Sequence, residues 1–494
     1  MNFHAAPDHA TVRSIVFGVL LAMFLGAIDQ TIVATALPSI GRSFGDLENL
    51  SWIVTAYLLT ATAVTPLYGK LSDIYGRRAT MLVGIGIFVA GSVACALANS
   101  IAALILARGI QGVGAGGLLP LAQTIIGDVV APRERGRYQG YIGVVFALAS
   151  VGGPVLGGVL TEHLHWSFIF WINLPLGLLA FLMTNSLLKR LPRHERPHRL
   201  DIAGAVLMMT ASVALLLALT WGGTRYPWSA PPIVGLVAAS ILLWILFALR
   251  IARAPEPFLP LTVLRNSVVR LGTVAASCGM GTLIGLTIMV PLYFEAVLKL
   301  SASQSGLALI PPMIASTLTS TATGQAMGRL THYKRISVVG LVIAIGALAG
   351  LAWPGIDHTV TSVAILLGLV GGGLGTVFPV TTVSIQNAVP VHELGTVTGA
   401  MNFFRSLASA ILVAAFGAIL LGGVGSNGGA PLETLLGEAS RNGVALEDMF
   451  RWVFAAAGGV LVIGLAFLLA MKELPLRAHI HPPVVTAPNA VPAE

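Results

Sequence analysis

The sequence predicts an all-α polytopic membrane protein of fourteen transmembrane helices, built as two six-helix halves with two further helices inserted between them. Three observations lead there. Of 494 residues only 10% are charged and 56% are hydrophobic, with a mean hydropathy of +0.87, whereas soluble domains carry about a quarter charged residues. Apolar runs of spanning length lie near 14–38, 51–70, 79–98, 101–127, 138–160, 166–188, 202–221, 231–250, 267–294, 304–326, 336–354, 360–382, 396–422 and 450–472. The chain also repeats itself at an offset of 259 residues (328 minus 69). Gly69-Lys70-Leu71-Ser72 returns as Gly328-Arg329-Leu330-Thr331, Gly112, Gly114 and Pro120 as Gly371, Gly373 and Pro379, and Glu134, Gly136 and Gly140 as Glu393, Gly395 and Gly399. Both copies keep one orientation, so an axis along the membrane normal relates the halves.

The same runs set the boundaries. Residues 1–13 form an N-terminal segment, 14–188 the first bundle, 189–266 a linker with two inserted helices, 267–472 the second bundle and 473–494 a disordered tail; the connection near 423–449 is a flexible loop. Alternate connections hold most of the 28 Lys and Arg, while the opposite side holds Arg42, Arg225, Lys299, Arg441 and Arg451. By the positive-inside rule both termini are cytoplasmic. The net charge of +8 therefore reports topology, not nucleic-acid binding. Cys95 and Cys278 lie in apolar runs and do not suggest a disulfide framework, and no cleavable signal peptide is apparent. No metal-ligand cluster, phosphate loop or nucleophile motif stands out, so an enzyme is not expected.

Taken in order, span 1 carries a single ionisable residue, Asp29, in Phe24-Leu25-Gly26-Ala27-Ile28-Asp29-Gln30-Thr31-Ile32-Val33. Such an acid marks an ion or proton pathway, or else a carboxylate neutralised by a structural partner. Between spans 2 and 3 runs Gly69-Lys70-Leu71-Ser72-Asp73-Ile74-Tyr75-Gly76-Arg77-Arg78, where the glycines permit a tight turn and Asp73 can accept N–H groups at a helix N-terminus. Span 4 carries Arg108-Gly109-Ile110-Gln111-Gly112-Val113-Gly114, and its guanidinium can hold a carboxylate ionised. In span 5, Ala149-Ser150-Val151-Gly152-Gly153-Pro154-Val155-Leu156-Gly157-Gly158 offers glycines for close helix approach and a proline that removes a backbone donor. The repeat maps Asp29 to Ile288, Arg108 to Leu367, Asp73 to His332 and Pro154 to Val413, so ionisable chemistry is concentrated in the first half. Glu295, after Pro291-Leu292-Tyr293-Phe294 on span 9, attracts a cationic substrate, acts as a second protonation site, or is an idle solvated acid. Trp52, Tyr57, Gln123, Asn402, Phe403 and Phe404 suit an apolar substrate cavity with a few polar groups, and Arg405 either faces the cytoplasmic half of that cavity or, by default, snorkels to headgroups.

The loop from Gly69 to Arg78 resembles the signature loop of the major facilitator superfamily. Arg108 to Gly114 is similar to that family's intramembrane arginine motif, and Gly152 to Gly158 to the motif of its antiporter branches. With Asp29-Gln30-Thr31-Ile32-Val33-Ala34-Thr35-Ala36-Leu37-Pro38, Trp166-Ser167-Phe168-Ile169-Phe170-Trp171-Ile172-Asn173-Leu174-Pro175 and Asp201-Ile202-Ala203-Gly204, the chain resembles the fourteen-helix multidrug:proton antiporter branch over nearly its whole length. The resemblance implies a major facilitator fold and proton coupling through Asp29, Arg108 and Gln111. It implies a conformational latch at Gly69, Asp73, Gly76, Arg77 and Arg78, with its partner near Gly395-Thr396, and an antiporter hinge at Gly153, Pro154, Gly157 and Gly158. It further implies export of hydrophobic or cationic drugs by a monomer in a bacterial inner membrane, powered by the proton gradient without a cofactor. A dedicated exporter of a metabolite, siderophore or lipid is the alternative. Spans 10 and 13 lack the acids that some members carry, which argues against dicationic substrates.

Overall fold

The computed structural model describes residues 9–46, 49–190, 200–354, 359–424 and 446–477. The first half comprises α1 (His9–Phe44), α2 (Leu50–Tyr75), α3 (Arg77–Ala96), α4 (Ile101–Val129), α5 (Pro132–His163) and α6 (Asn173–Leu187), the last preceded by the short turn Phe168–Trp171. The inserted pair is α7 (Ile202–Trp221) and α8 (Pro231–Arg253). The second half comprises α9 (Ser267–Ala296), α10 (Ile310–Met327), α11 (Lys334–Ala352), α12 (Val360–Asn387), α13 (Leu394–Val424) and α14 (Leu446–Ala470). Among the described residues, 13 helices are long and apolar enough to cross a membrane. The remaining long helix, α10, is rich in Ser and Thr and packs between α5 and α12.

Local chemistry starts and stops these helices. Ser100 caps α4 through Ala103 N, Asp201 caps α7 through Gly204 N, and Asn266 caps α9 through Val268 N and Val269 N. Gly76, at φ +89°, lets α2 turn directly into α3, a backbone angle that a side chain would strain.

The repeat is visible as matching helix pairs. In the first half α4 packs on α2 and α3, α1 on α5 and α6, and α3 on α6. In the second half α12 packs on α10 and α11, α9 on α13 and α14, and α11 on α14. Equivalent glycines make equivalent contacts. A Cβ on Gly114 would lie 2.7 Å from Gly84 O and collide with α3, and one on Gly373 would collide with Gly340 of α11. Where lipid supplies no hydrophobic drive between helices, such close backbone approach supplies the packing energy.

The halves meet along two seams, both toward the end that carries most of the Lys and Arg. In one, Gly69 of α2 presses on Gly395 and Gly399 of α13; in the other, Gly136 of α5 presses on Gly324 of α10. The inserted pair covers the first seam. Arg250 Nε donates to Asp201 Oδ1 at 3.0 Å to join α8 to the start of α7, and α7 rests on both α2 and α13.

Three expectations change. The segment expected to be disordered from 473 is ordered through 477; residues 478–494 lie outside the described residues. Glu473 Oε1 accepts Lys334 N (2.8 Å), Tyr333 OH donates to Leu474 O (2.8 Å), Asn387 Nδ2 to Pro475 O (3.0 Å), and Arg477 Nη2 to Asn387 O (2.5 Å). Arg133 N, in the first half, donates to Arg477 O at 3.3 Å, so this strap reaches across the second seam. Helix ends leave unpaired backbone groups, and the strap's polar residues answer them, which composition does not reveal. The N-terminal segment is helical from His9, and α14 begins at Leu446 rather than near 450; residues 1–8, 191–199 and 425–445, the core of the expected loop, lie outside the described residues.

Gly114→Ala is expected to cost about 1–3 kcal/mol through overpacking against α3 and to lower the thermal inactivation midpoint of purified protein. Gly86→Ala, whose Cβ would meet open space, should leave it unchanged or raise it slightly. Equal effects at the two positions would contradict the packing described.

Candidate functional site

Asp29 sits on α1 with no exposed surface, and Arg108 on α4 is 1% exposed. Arg108 Nη1 donates to Asp29 Oδ2 at 2.6 Å and to Gln111 Oε1 at 2.5 Å, and its Nε donates to Ile53 O at 3.1 Å. The other carboxylate oxygen, Oδ1, accepts from Gln111 Nε2 and Asn173 Nδ2, each at 2.8 Å. Both amides also donate to Ser92 Oγ, at 3.2 and 2.9 Å, and Ser92 Oγ donates to Phe170 O at 3.0 Å. The Tyr57 ring lies under the guanidinium, 4.1 Å from its centroid, with Phe170 at 5.7 Å. Five helices, α1, α2, α3, α4 and α6, thus converge on one ion pair. Sequence reasoning does not single out Ser92, or Asn173 beyond its place in the Trp166–Pro175 stretch, because neutral polar residues are too common in such helices to announce a site.

Thr31 and two glycines tie this centre to α5. Thr31 Oγ1, two positions beyond Asp29, donates to Ala149 O at 2.8 Å. Cβ atoms on Gly153 and Gly157 would strike Thr31, Ile32 and Thr35 of α1, so these glycines permit the contact. A Cβ on Gly152 or Gly158 would meet open space and Pro154 is exposed, so of the four expected hinge positions Gly153 and Gly157 are the two that pack on α1. Helical periodicity explains it: positions 153 and 157 share a face, and 152 and 158 lie off it.

At the basic end, Asp73 Oδ1 accepts Gly395 N at 3.0 Å, and Oδ2 accepts Thr396 N at 2.7 Å and Thr396 Oγ1 at 2.6 Å. The carboxylate therefore caps α13 across the seam, where the helix dipole favours it. Arg77 pairs with Asp73 and with Asp128 Oδ2 (2.7 Å), and Arg78 Nη2 donates to Asn185 Oδ1 at 2.5 Å. Asp128 was not anticipated, because it reads as an ordinary acid near a helix end.

The expected cavity residues divide. Gln123 Oε1 accepts Asn402 Nδ2 at 2.8 Å across the seam, with Gln386 Nε2 on Gln123 O at 3.3 Å. Tyr57 belongs to the ion-pair cage, and Phe403 is buried against Trp244 of α8, 6.2 Å between centroids, so neither lines open space here. Trp52 stacks edge-on with Trp221 at 5.7 Å, Phe404 is half-buried, and Glu295 is exposed at the far end of α9. Arg405 does not snorkel; it is buried. Among the described residues no His, Cys, Asp and Glu cluster could hold a metal.

A family model described as the Major Facilitator Superfamily matches residues 19–413. The chain is 35% identical over 408 residues to the multidrug transporter protein MdtP of Bacillus subtilis, covering 82% of this chain and 75% of that one. It is 33% identical over 412 residues to multidrug resistance protein 3 of the same organism, covering 83% and 80%. The crystal structure of the human organic anion transporter MFSD10 superposes with a TM-score of 0.65 at 17% identity, over 92% of this chain and 99% of that one, a likeness of fold alone.

Removing Arg108 strands the carboxylate. Arg108→Gln is expected to cost about 3–5 kcal/mol, seen as lost yield or thermal stability, and Asp29→Asn in the same chain should recover most of it. Additive losses in this double-mutant cycle would show that the two side chains do not act as a pair.

Proposed function

The chain belongs to the Major Facilitator Superfamily, and on that premise we propose that it is a proton-coupled antiporter that exports hydrophobic or cationic toxic compounds by alternating access. The observation that carries the reading is the Asp29–Arg108 pair, a titratable ion pair shut off from water within membrane-spanning helices. The relatives named a multidrug transporter protein and a multidrug resistance protein support drugs as the class of cargo. With the basic end taken as cytoplasmic, the two glycine seams close the cytoplasmic side.

In this reading, a proton arriving from outside neutralises Asp29. Oδ2 then loses its charge-assisted bond to Arg108, and the guanidinium keeps only neutral acceptors, Gln111 Oε1 and Ile53 O. The equilibrium shifts because the two conformations hold that proton with different affinity. Through Thr31 and the Gly153 and Gly157 face, α1 carries the change to α5, whose opposite end forms the Gly136–Gly324 seam. Asp73 holds the other seam shut until the halves rock.

Asp29→Asn is expected to abolish proton-driven accumulation of ethidium in inverted vesicles while the protein still inserts and ethidium still equilibrates downhill. Full proton-driven transport by that variant would defeat the assignment. Asp73→Asn removes the charge from the cap on α13; spin-label distances between the basic ends of α2 and α13 should gain a longer population, and an unchanged distribution would deny Asp73 a latching role.

A further inference from the structure

Arg405, in the first half of α13, has no carboxylate partner among the described residues. Its side chain is 6% exposed, and its Nη2 donates only to the hydroxyls of Thr381 (3.1 Å) and Thr382 (3.0 Å) on α12. Thr381 already donates its own proton to Val377 O at 2.8 Å, so it offers the guanidinium neutral lone pairs. Nε is sealed from solvent without a partner. Nη1 makes no hydrogen bond and is not among the sealed atoms, so it is the nitrogen that a ligand can reach.

Among the described residues no acid of the second half pairs with it. Helices α10 to α13 contain neither Asp nor Glu, and the acids of α9 and α14, Glu295, Glu447 and Asp448, stand at the end opposite the basic one, where Glu447 and Asp448 engage Arg451. The contrast within the molecule is direct. Arg108 is as deeply buried and has Asp29; Arg405 has a Phe378 ring 5.8 Å away and two hydroxyls. A buried guanidinium without a counter-ion is expensive, and such a residue marks a site for one. It lies about one helical turn beyond Asn402, which reaches Gln123 across the seam.

We propose that Arg405 binds the oxyanion of the cargo, a carboxylate, sulfonate or phosphate on an otherwise lipophilic compound, so that organic anions are among the substrates of this exporter. The proposal rests on the export reading and extends its substrate class to lipophilic anions. Arginine suits the task because its planar fork pairs with an oxyanion in a way that a lysine ammonium does not.

The test compares carboxyfluorescein with ethidium in inverted vesicles. Arg405→Gln should lower energised uptake of carboxyfluorescein by about tenfold or more and leave ethidium within about twofold. Equal loss of both probes by a protein that inserts normally, or no loss of either, overturns the proposal; wild-type vesicles that move neither probe overturn the export reading instead. Arg405→Lys retains the charge without the fork, and carries the test if Arg405→Gln does not accumulate, with the same selective loss expected. Binding of carboxyfluorescein to wild-type protein in phosphatidylcholine nanodiscs, followed by anisotropy, separates cargo from lipid. Binding that survives added phosphatidylglycerol supports a cargo site, and displacement by it assigns the site to lipid phosphate and overturns the proposal.

Discussion

A carboxylate and a guanidinium held together where water does not reach impose demands on every helix around them. Each lone pair and each N–H must be answered by protein, since desolvation of either charge outweighs what surface pairing returns. The architecture of the first half reads as the answer to that demand. Gln111 faces both charges at once, Asn173 and Ser92 complete the acceptor side, and Tyr57 supplies a π face under the cation. The glycines of α4 serve the same end. Gly112 lets α2 come close enough for Ile53 and Tyr57 to reach Arg108, and Gly114 brings in α3, which carries Ser92.

The second half keeps this frame and discards its charges. The same helices pair in the same order, the same glycines touch, yet Ile288 stands where Asp29 would be and is 45% exposed. A duplicated scaffold has thus been divided between two tasks. The first half holds a buried ion pair; the second holds a buried arginine that meets hydroxyls and no carboxylate among the described residues. The two meet through α5, which touches α1 at one end and α10 at the other.

Much of this was legible because ionisable residues are rare in apolar runs. Asp29, Arg108, the loop around Asp73 and the offset between halves could be read from identity and spacing alone. What could not be read was direction. A helix such as α4, apolar on nearly every face, gives no period from which to decide where Tyr57 or Phe403 on its neighbours should point, so the cage and the α8 contact were invisible. Neutral partners were hidden for a related reason: Ser92 and Asn173 acquire their importance from what lies opposite them. The residues after 472 failed differently, since a Pro- and Ala-rich composition describes the far tail and masks the few polar groups that bind the near part.

That strap also sets an order of events during biosynthesis. Arg477 follows Arg133 by 344 residues (477 minus 133), roughly 20–70 s of elongation. The first half can therefore insert and pack its ion pair well before its brace exists. Until the ribosome has delivered almost the entire second half, α5 lacks its contact with the strap, and the second seam closes fully only in a chain that has been translated past residue 477.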